Sequence, residues 1–191
     1  IRCGYNILLT SYDKLYVNDH MLPHGNLRDL PAESRRANTV VVTKCPQEMP
    51  PILRRIVSNQ LQLASYQNLC YSSIQYAPLD LPGTPLIVAG IANPQVLYNH
   101  VSKQYPDTQM LIFRDHYKFK NSDVQLILKK AEQYACVLTT EKDYMRMMQT
   151  PLVEQLGEKL IVLPIQTDFG IDKDAFERAV LLYVAENNRK I

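Results

Sequence analysis

Residues 86–139 read LIVAGIANPQVLYNHVSKQYPDTQMLIFRDHYKFKNSDVQLILKKAEQYACVLT, and this stretch decides the fold. Three apolar runs, 86–91 (LIVAGI), 109–113 (QMLIF) and 135–139 (ACVLT), are separated by segments whose apolar residues recur at helical spacing, 93–104 and 121–133. Runs that are apolar at nearly every position mark strands covered on both faces. Strands alternating with helices imply a mostly parallel sheet. The helix starts agree: Asn93 precedes Pro94, and Ser122-Asp123 offers side-chain acceptors to the exposed N–H groups of a first turn.

Working outward, further strands are expected at 6–12 (NILLTSY), 39–45 (TVVVTKC) and 159–163 (KLIVL), and helices at 50–62 and 172–187, the latter capped by Asp172. The expected fold is α/β, a three-layer sandwich with a mostly parallel sheet. Two stretches break the rhythm. Residues 18–37 carry Pro23, Gly25, Pro31 and several charges with little periodicity, and read as a long polar loop of the kind that carries function. Residues 68–81 (NLCYSSIQYAPLDL) alternate around tyrosines and read as one or two antiparallel strands, at a sheet edge or in a linker.

Lys and Arg number 21 against 19 Asp and Glu, so the overall charge gives no ground for a nucleic-acid partner. A hydrophobic share of 46% in 191 residues suits a folded globular chain. No apolar run reaches the roughly 20 residues that span a bilayer. The start, Ile1-Arg2-Cys3-Gly4, is neither a signal peptide nor a Met start, and suggests a trimmed chain. Cys3, Cys45, Cys70 and Cys136 lack metal-ligand spacing and are read as reduced thiols without chemistry.

In a parallel sheet ligands gather beyond the carboxyl ends of the strands, so the residues following each strand are the candidates. Lys44-Cys45-Pro46 follows one. Gly90-Ile91-Ala92-Asn93-Pro94 follows another; Gly90 permits close approach of the backbone, and the helix starting at Asn93 offers N–H groups to an anion. Arg114-Asp115-His116-Tyr117-Lys118-Phe119 places an imidazole beside a carboxylate, suited to taking a proton from a substrate hydroxyl. Thr140-Glu141-Lys142-Asp143 is either a capped helix start or a charged cleft lining.

Taken in order, L-P-H-G-N-L-R-D at 22–29, V-T-K-C-P at 42–46, G-I-A-N-P at 90–94, F-R-D-H-Y-K-F at 113–119 and T-T-E-K-D-Y-M-R at 139–146 resemble the landmarks of the tetraacyldisaccharide 4'-kinase (lipid A 4'-kinase) family over roughly residues 4 to 175. That resemblance implies a membrane-associated P-loop kinase moving the γ-phosphoryl group of ATP, with Mg²⁺, to the 4'-hydroxyl of the tetraacyldisaccharide 1-phosphate at the cytoplasmic face of the bacterial inner membrane. It assigns His116, with Asp115, to assisting deprotonation in partnership with an aspartate near the ATP loop. It places Arg28 and Asp29 near phosphates, and Gly90, Asn93, Thr140, Glu141, Lys142 and Asp143 around the ligands. The chain departs from the pattern at Asp29, where glutamate is usual, and at Tyr117, where a second histidine is common.

No G-x-x-x-x-G-K-[ST] occurs in the chain, whereas a P-loop kinase needs that cradle. Residues 1–37 are therefore expected to continue a missing N-terminal kinase domain that also carries the membrane contact. Their strand at 6–12 is expected displaced or paired with another copy. Residues 38–191 are expected to form the C-terminal domain, with 68–81 a possible β linker, and the chain is expected to be inactive alone. The competing readings are a noncatalytic nucleotide- or sugar-binding α/β module and a different transferase whose whole site lies in this chain.

Overall fold

The computed structural model describes residues 4–188, so Cys3 lies outside the described residues. The chain forms two units, one running to Gln75 and resuming at Thr167, the other Tyr76–Gln166.

The second unit is built from the deciding stretch. Its sheet, β4 (Pro85–Ala89), β5 (Gln109–Ile112), β6 (Cys136–Thr140) and β7 (Leu160–Leu163), has the order β5-β4-β6-β7 with every pair parallel. Alternation along the strands divides the core in two. Leu86, Val88 and Val137 pack with Val124, Ile127 and Ala131 of α3 (Asn121–Ala131), Met147 of α4 (Glu141–Met147) and Leu152 and Leu156 of α5 (Leu152–Leu156). Ile87, Ala89 and Leu138 face the other way, onto Leu97 and Val101 of α2 (Pro94–Ser102). Each fully buried aliphatic side chain contributes about 1.5–3 kcal/mol, and this sheet has them on both faces. The unit is a helix–sheet–helix sandwich.

The first unit has its own sheet, ordered β1 (Ile7–Ser11), β2 (Thr39–Cys45), β3 (Asn68–Tyr76), β8 (Ile165–Asp168). Val40, Val42 and Cys45 of β2 and Tyr71 of β3 pack with Val57 and Leu61 of α1 (Pro51–Leu61). The closing helix α6 (Lys173–Asn188) is preceded by Asp172, which binds Arg54 of α1 at 2.6 Å and accepts the Tyr71 N–H at 2.9 Å. The Arg54 guanidinium lies 4.3 Å over the Tyr71 ring. Asp172 thus ties α1 to the middle of the sheet. At α2, Pro94 takes the first position, but the Asn93 side chain makes no capping bond. At α3, Asp123 does accept the Lys120 N–H, at 2.8 Å.

Four expectations about organisation are corrected. There are two sheets rather than one, with β1–β2 and β2–β3 parallel in the first and every pair parallel in the second. The strand at 6–12 is not displaced: β1 pairs parallel with β2 from Ile7↔Thr39 to Ser11↔Thr43, at the edge of its sheet. Residues 68–76 form an interior strand, parallel to β2 from Thr39↔Asn68, not an antiparallel edge. Nor does the chain divide at residue 37, because Leu15 and Ala37 share one core with Val40 and Val42. Helix α5 and strand β8 were not foreseen; both are short, four or five residues, and carry little periodicity.

The 18–37 loop is ordered by polar contacts. Asp19 accepts the N–H groups of His20 at 2.9 Å and Asn26 at 3.3 Å, and pairs with Lys14 at 3.3 Å. The His20 N–H first, with the Asn26 amide and Lys14, lowers the Asp19 carboxyl to about 2. A Cβ at Gly25 would lie 2.2 Å from the His20 carbonyl oxygen, so only glycine fits there.

Candidate functional site

The carboxyl ends of the adjacent strands β5, β4 and β6 bring together three of the sequence candidates. Their hub is Asp143, in the first turn of α4 and fully buried. Thr140, the last residue of β6, caps α4 by accepting the Asp143 N–H at 3.2 Å, and its hydroxyl donates back to Asp143 Oδ2 at 3.1 Å. Across the sheet, the Gly90 N–H donates to the same oxygen at 2.9 Å. A buried carboxylate needs such partners, and the strongest is Arg146, whose Nη1 donates to Asp143 Oδ1 at 2.8 Å and to the Gly90 carbonyl at 2.9 Å.

The Gly90 N–H and C=O are both committed within the protein. A Cβ there would sit 3.2 Å from Asp143 Oδ1 and from the Arg114 carbonyl oxygen. The glycine serves the close approach of two strand ends.

From β5 the chain turns through Arg114 and Asp115 to His116, which has φ 59. Left-handed backbone at a non-glycine residue costs on the order of 1 kcal/mol and is found where a side chain must be aimed. Here the turn is held by the His116 N–H donating to Asp115 Oδ1 at 2.9 Å and by the Tyr117 N–H donating to the Arg114 carbonyl at 3.1 Å. Lys142 binds Asp115 Oδ1 at 3.2 Å, and this bond foremost holds the Asp115 carboxyl below the usual range. The His116 side chain is 76% exposed; its Nδ1 lies 3.3 Å from Arg146 Nη2 and its Nε2 is 3.7 Å from Asp115 Oδ2.

Tyr117 packs among Phe113 and Phe119, with ring centroids 5.2 and 5.8 Å away. Burial raises its phenol. It anchors the turn from behind while His116 faces solvent.

The remaining candidates stand apart. Asn93 is exposed. Glu141 is exposed and accepts the Ile165 N–H at 3.4 Å. Arg28 and Asp29 belong to the other unit. There Arg28 is exposed and makes no ion pair among the described residues, whereas Asp29 is bound by Arg36 and caps the Leu30 N–H. Asp29, Leu30, Arg36, Asn38, Tyr16 and Tyr183 help line a groove of about 1300 Å³. Lys44 is exposed in a β2 bulge with φ 57. Cys45, Cys70 and Cys136 are buried free thiols, each raised by burial.

Sequence reasoning missed Arg146. Its signal was present in T-T-E-K-D-Y-M-R, where an arginine three residues after an aspartate shares its helix face. The residues present do not fit a Mg²⁺ site: among the described residues no three His, Cys, Asp or Glu side chains cluster, and Asp115 and Asp143 are engaged by Lys142 and Arg146. No helix among them is long and apolar enough to cross a membrane.

Comparison with known proteins places the chain. The family model for tetraacyldisaccharide-1-P 4'-kinase matches residues 2–185. A tetraacyldisaccharide 4'-kinase of Flavobacterium johnsoniae is 34% identical over 200 residues, covering 98% of this chain and 56% of the relative. Those of Phocaeicola vulgatus and Bacteroides thetaiotaomicron are 33% and 32% identical, each covering 99% of this chain and 57% of the relative. The chain thus spans a little over half the length of these relatives. A match across nearly all of its residues, with the strand-end landmarks inside it, means that the chain belongs to the tetraacyldisaccharide-1-P 4'-kinase family.

Proposed function

We propose that this chain forms part of an ATP-dependent kinase that phosphorylates the 4'-hydroxyl of the tetraacyldisaccharide 1-phosphate precursor of lipid A. In the reaction the bond from the γ-phosphorus to its bridging oxygen breaks, the sugar oxygen takes the phosphoryl group, and the hydroxyl proton leaves. The chain's contribution is His116, which assists removal of that proton, with Asp115 holding its backbone and Lys142 holding Asp115. The observation that carries the reading is the aimed, exposed imidazole at the carboxyl end of β5, where a parallel sheet presents its ligands. Arg28, exposed and unpaired among the described residues, suits a phosphate group, since a planar guanidinium donates bidentately.

ATP and Mg²⁺ are assigned chiefly to residues outside these 191, in a protein of the relatives' length. The chain has no phosphate-binding loop of the required spacing, and no carboxylate cluster occurs among the described residues. The same outside residues are proposed to hold the protein peripherally at the cytoplasmic face of the inner membrane. Closure of the parts over the sugar headgroup would complete the site, because phosphoryl transfer depends mainly on positioning and charge. The experiment is a 4'-kinase assay with ATP, Mg²⁺ and the tetraacyldisaccharide 1-phosphate. Product formed by the protein of the relatives' length, and none by the 191 residues alone, is the expected result. Turnover by the 191 residues alone would overturn the division of the site, and inactivity of the longer protein would overturn the kinase reading.

A further inference from the structure

We infer that Arg146 is a positioning residue that fixes the tautomer and direction of the His116 ring, so that the histidine faces its reaction partners with Nε2–H as a hydrogen-bond donor. The inference rests on the proposed role of His116 and deepens it.

A guanidinium carries five N–H donors and no acceptor. Arg146 Nη2 lies 3.3 Å from His116 Nδ1, so Nδ1 must bring its lone pair to that contact. A neutral imidazole has a single N–H, which is then on Nε2. The Nε2 is 3.7 Å from Asp115 Oδ2, beyond hydrogen-bond reach, and the side chain is 76% exposed. The N–H is left for a partner of anionic or lone-pair character, a carboxylate or a phosphoryl oxygen.

Arg146 can impose this because it is itself fixed. Its side chain is 17% exposed, and its Nη1 is committed to Asp143 Oδ1 and to the Gly90 carbonyl, each within 3 Å. Asp143 is in turn held by the Gly90 N–H and the Thr140 hydroxyl. The ends of β4 and β6 and the first turn of α4 thus lock the arginine with one edge turned toward the ring, while the left-handed backbone at residue 116 brings the ring to meet it. With Nε2 protonated, His116 assists by orienting an oxygen that carries or receives the proton, and does not take the proton at Nε2 itself.

Ring nitrogen NMR of the histidine-labelled chain, with His116 identified by its loss in His116→Ala, tests the tautomer. The expected spectrum has an unprotonated Nδ1 and a protonated Nε2. In Arg146→Lys, whose single ammonium can satisfy Asp143 but cannot also reach the ring, the Nδ1 resonance is expected to move. A protonated Nδ1, or ring resonances unmoved by Arg146→Lys, overturns the proposal. In the protein of the relatives' length, Arg146→Lys should lower kcat by about tenfold to a hundredfold, the scale of loss from misplacing a catalytic group by about an ångström, with little change in KM. It should cost little further rate in a His116→Ala background; a full multiplicative loss there would mean that Arg146 acts elsewhere. Should Arg146→Lys fail to fold, the pair Asp143→Asn with Arg146→Gln removes both charges together and gives the same readouts. If His116→Ala leaves the rate unchanged, the role of His116 falls, and the NMR result still decides the tautomer.

Discussion

Asp143 has every oxygen engaged and no exposure to water, so its removal should be felt as a stability loss before a chemical one. Asp143→Ala would leave Arg146 unpaired and the Gly90 N–H without its acceptor. The cost expected is about 3–5 kcal/mol, as for breaking a buried charge pair from one side, and chemical denaturation would measure it. Gly90→Ala should cost on the order of 1–2 kcal/mol, because the added methyl meets a backbone carbonyl and the same carboxylate, neither of which can give way easily. A neutral Gly90→Ala would contradict the tight apposition of the two strand ends. At this scale the sequence showed His116 and its neighbour Asp115, since both are consecutive residues at a recognisable strand end. It offered Asp143 either as a charge in a first turn or as part of a charged cleft lining. What makes Asp143 and Arg146 important is contact with Gly90, more than fifty residues away, and no local pattern encodes that contact.

At the level of elements, hydrophobic period located β2 without error and the other expected strands and helices to within a few residues, because each buries a face whose spacing is set by its own backbone. Residues 68–76 were misread for the opposite reason. Their buried run, Cys70 to Ser72, is short and is flanked by half-exposed positions, so the strand resembles an edge although β2 and β8 lie on its two sides. Helix ends give two tests. Gln62 closes α1 with φ 46, so Gln62→Gly should stabilise the chain by about 0.5–1 kcal/mol in thermal or denaturant unfolding. Asp172 joins α1 and β3 just ahead of α6, and Asp172→Ala should cost about 2–4 kcal/mol by leaving Arg54 partly buried and unpaired. In the 18–37 loop, the lowered Asp19 carboxyl means that its contacts favour the fold above the ordinary carboxylate value near 3.9 and are lost as pH falls through about 2. Carboxyl NMR should place its midpoint near 2, and Asn26→Ala should move it up; a midpoint in the ordinary range would contradict the contact set.

For the whole molecule, the chain leaves one unit after Gln75 and returns at Thr167; Pro78, Pro82, Gly83 and Pro85 follow the first crossing, and Pro164 stands before the second. Each crossing runs from strand to strand, β3 to β4 and β7 to β8, and the strands of both units share the same apolar character, which is why the sequence suggested one sheet. The inserted unit is continuous in sequence and has core on both faces of its sheet. Residues 76–166 expressed alone should therefore fold cooperatively, seen as a single thermal transition by circular dichroism with dispersed amide resonances. A molten segment would mean that this core depends on the first unit. The inserted unit also carries His116, Asp115, Lys142, Asp143 and Arg146, so one compact piece holds the whole proposed imidazole assembly. The most direct test of that assembly's purpose is single-turnover formation of the 4'-phosphorylated lipid A precursor by the protein of the relatives' length, wild type against His116→Ala. A loss of about a hundredfold or more, with unchanged thermal stability, is the predicted result, and an undiminished rate in a well-folded variant would contradict it.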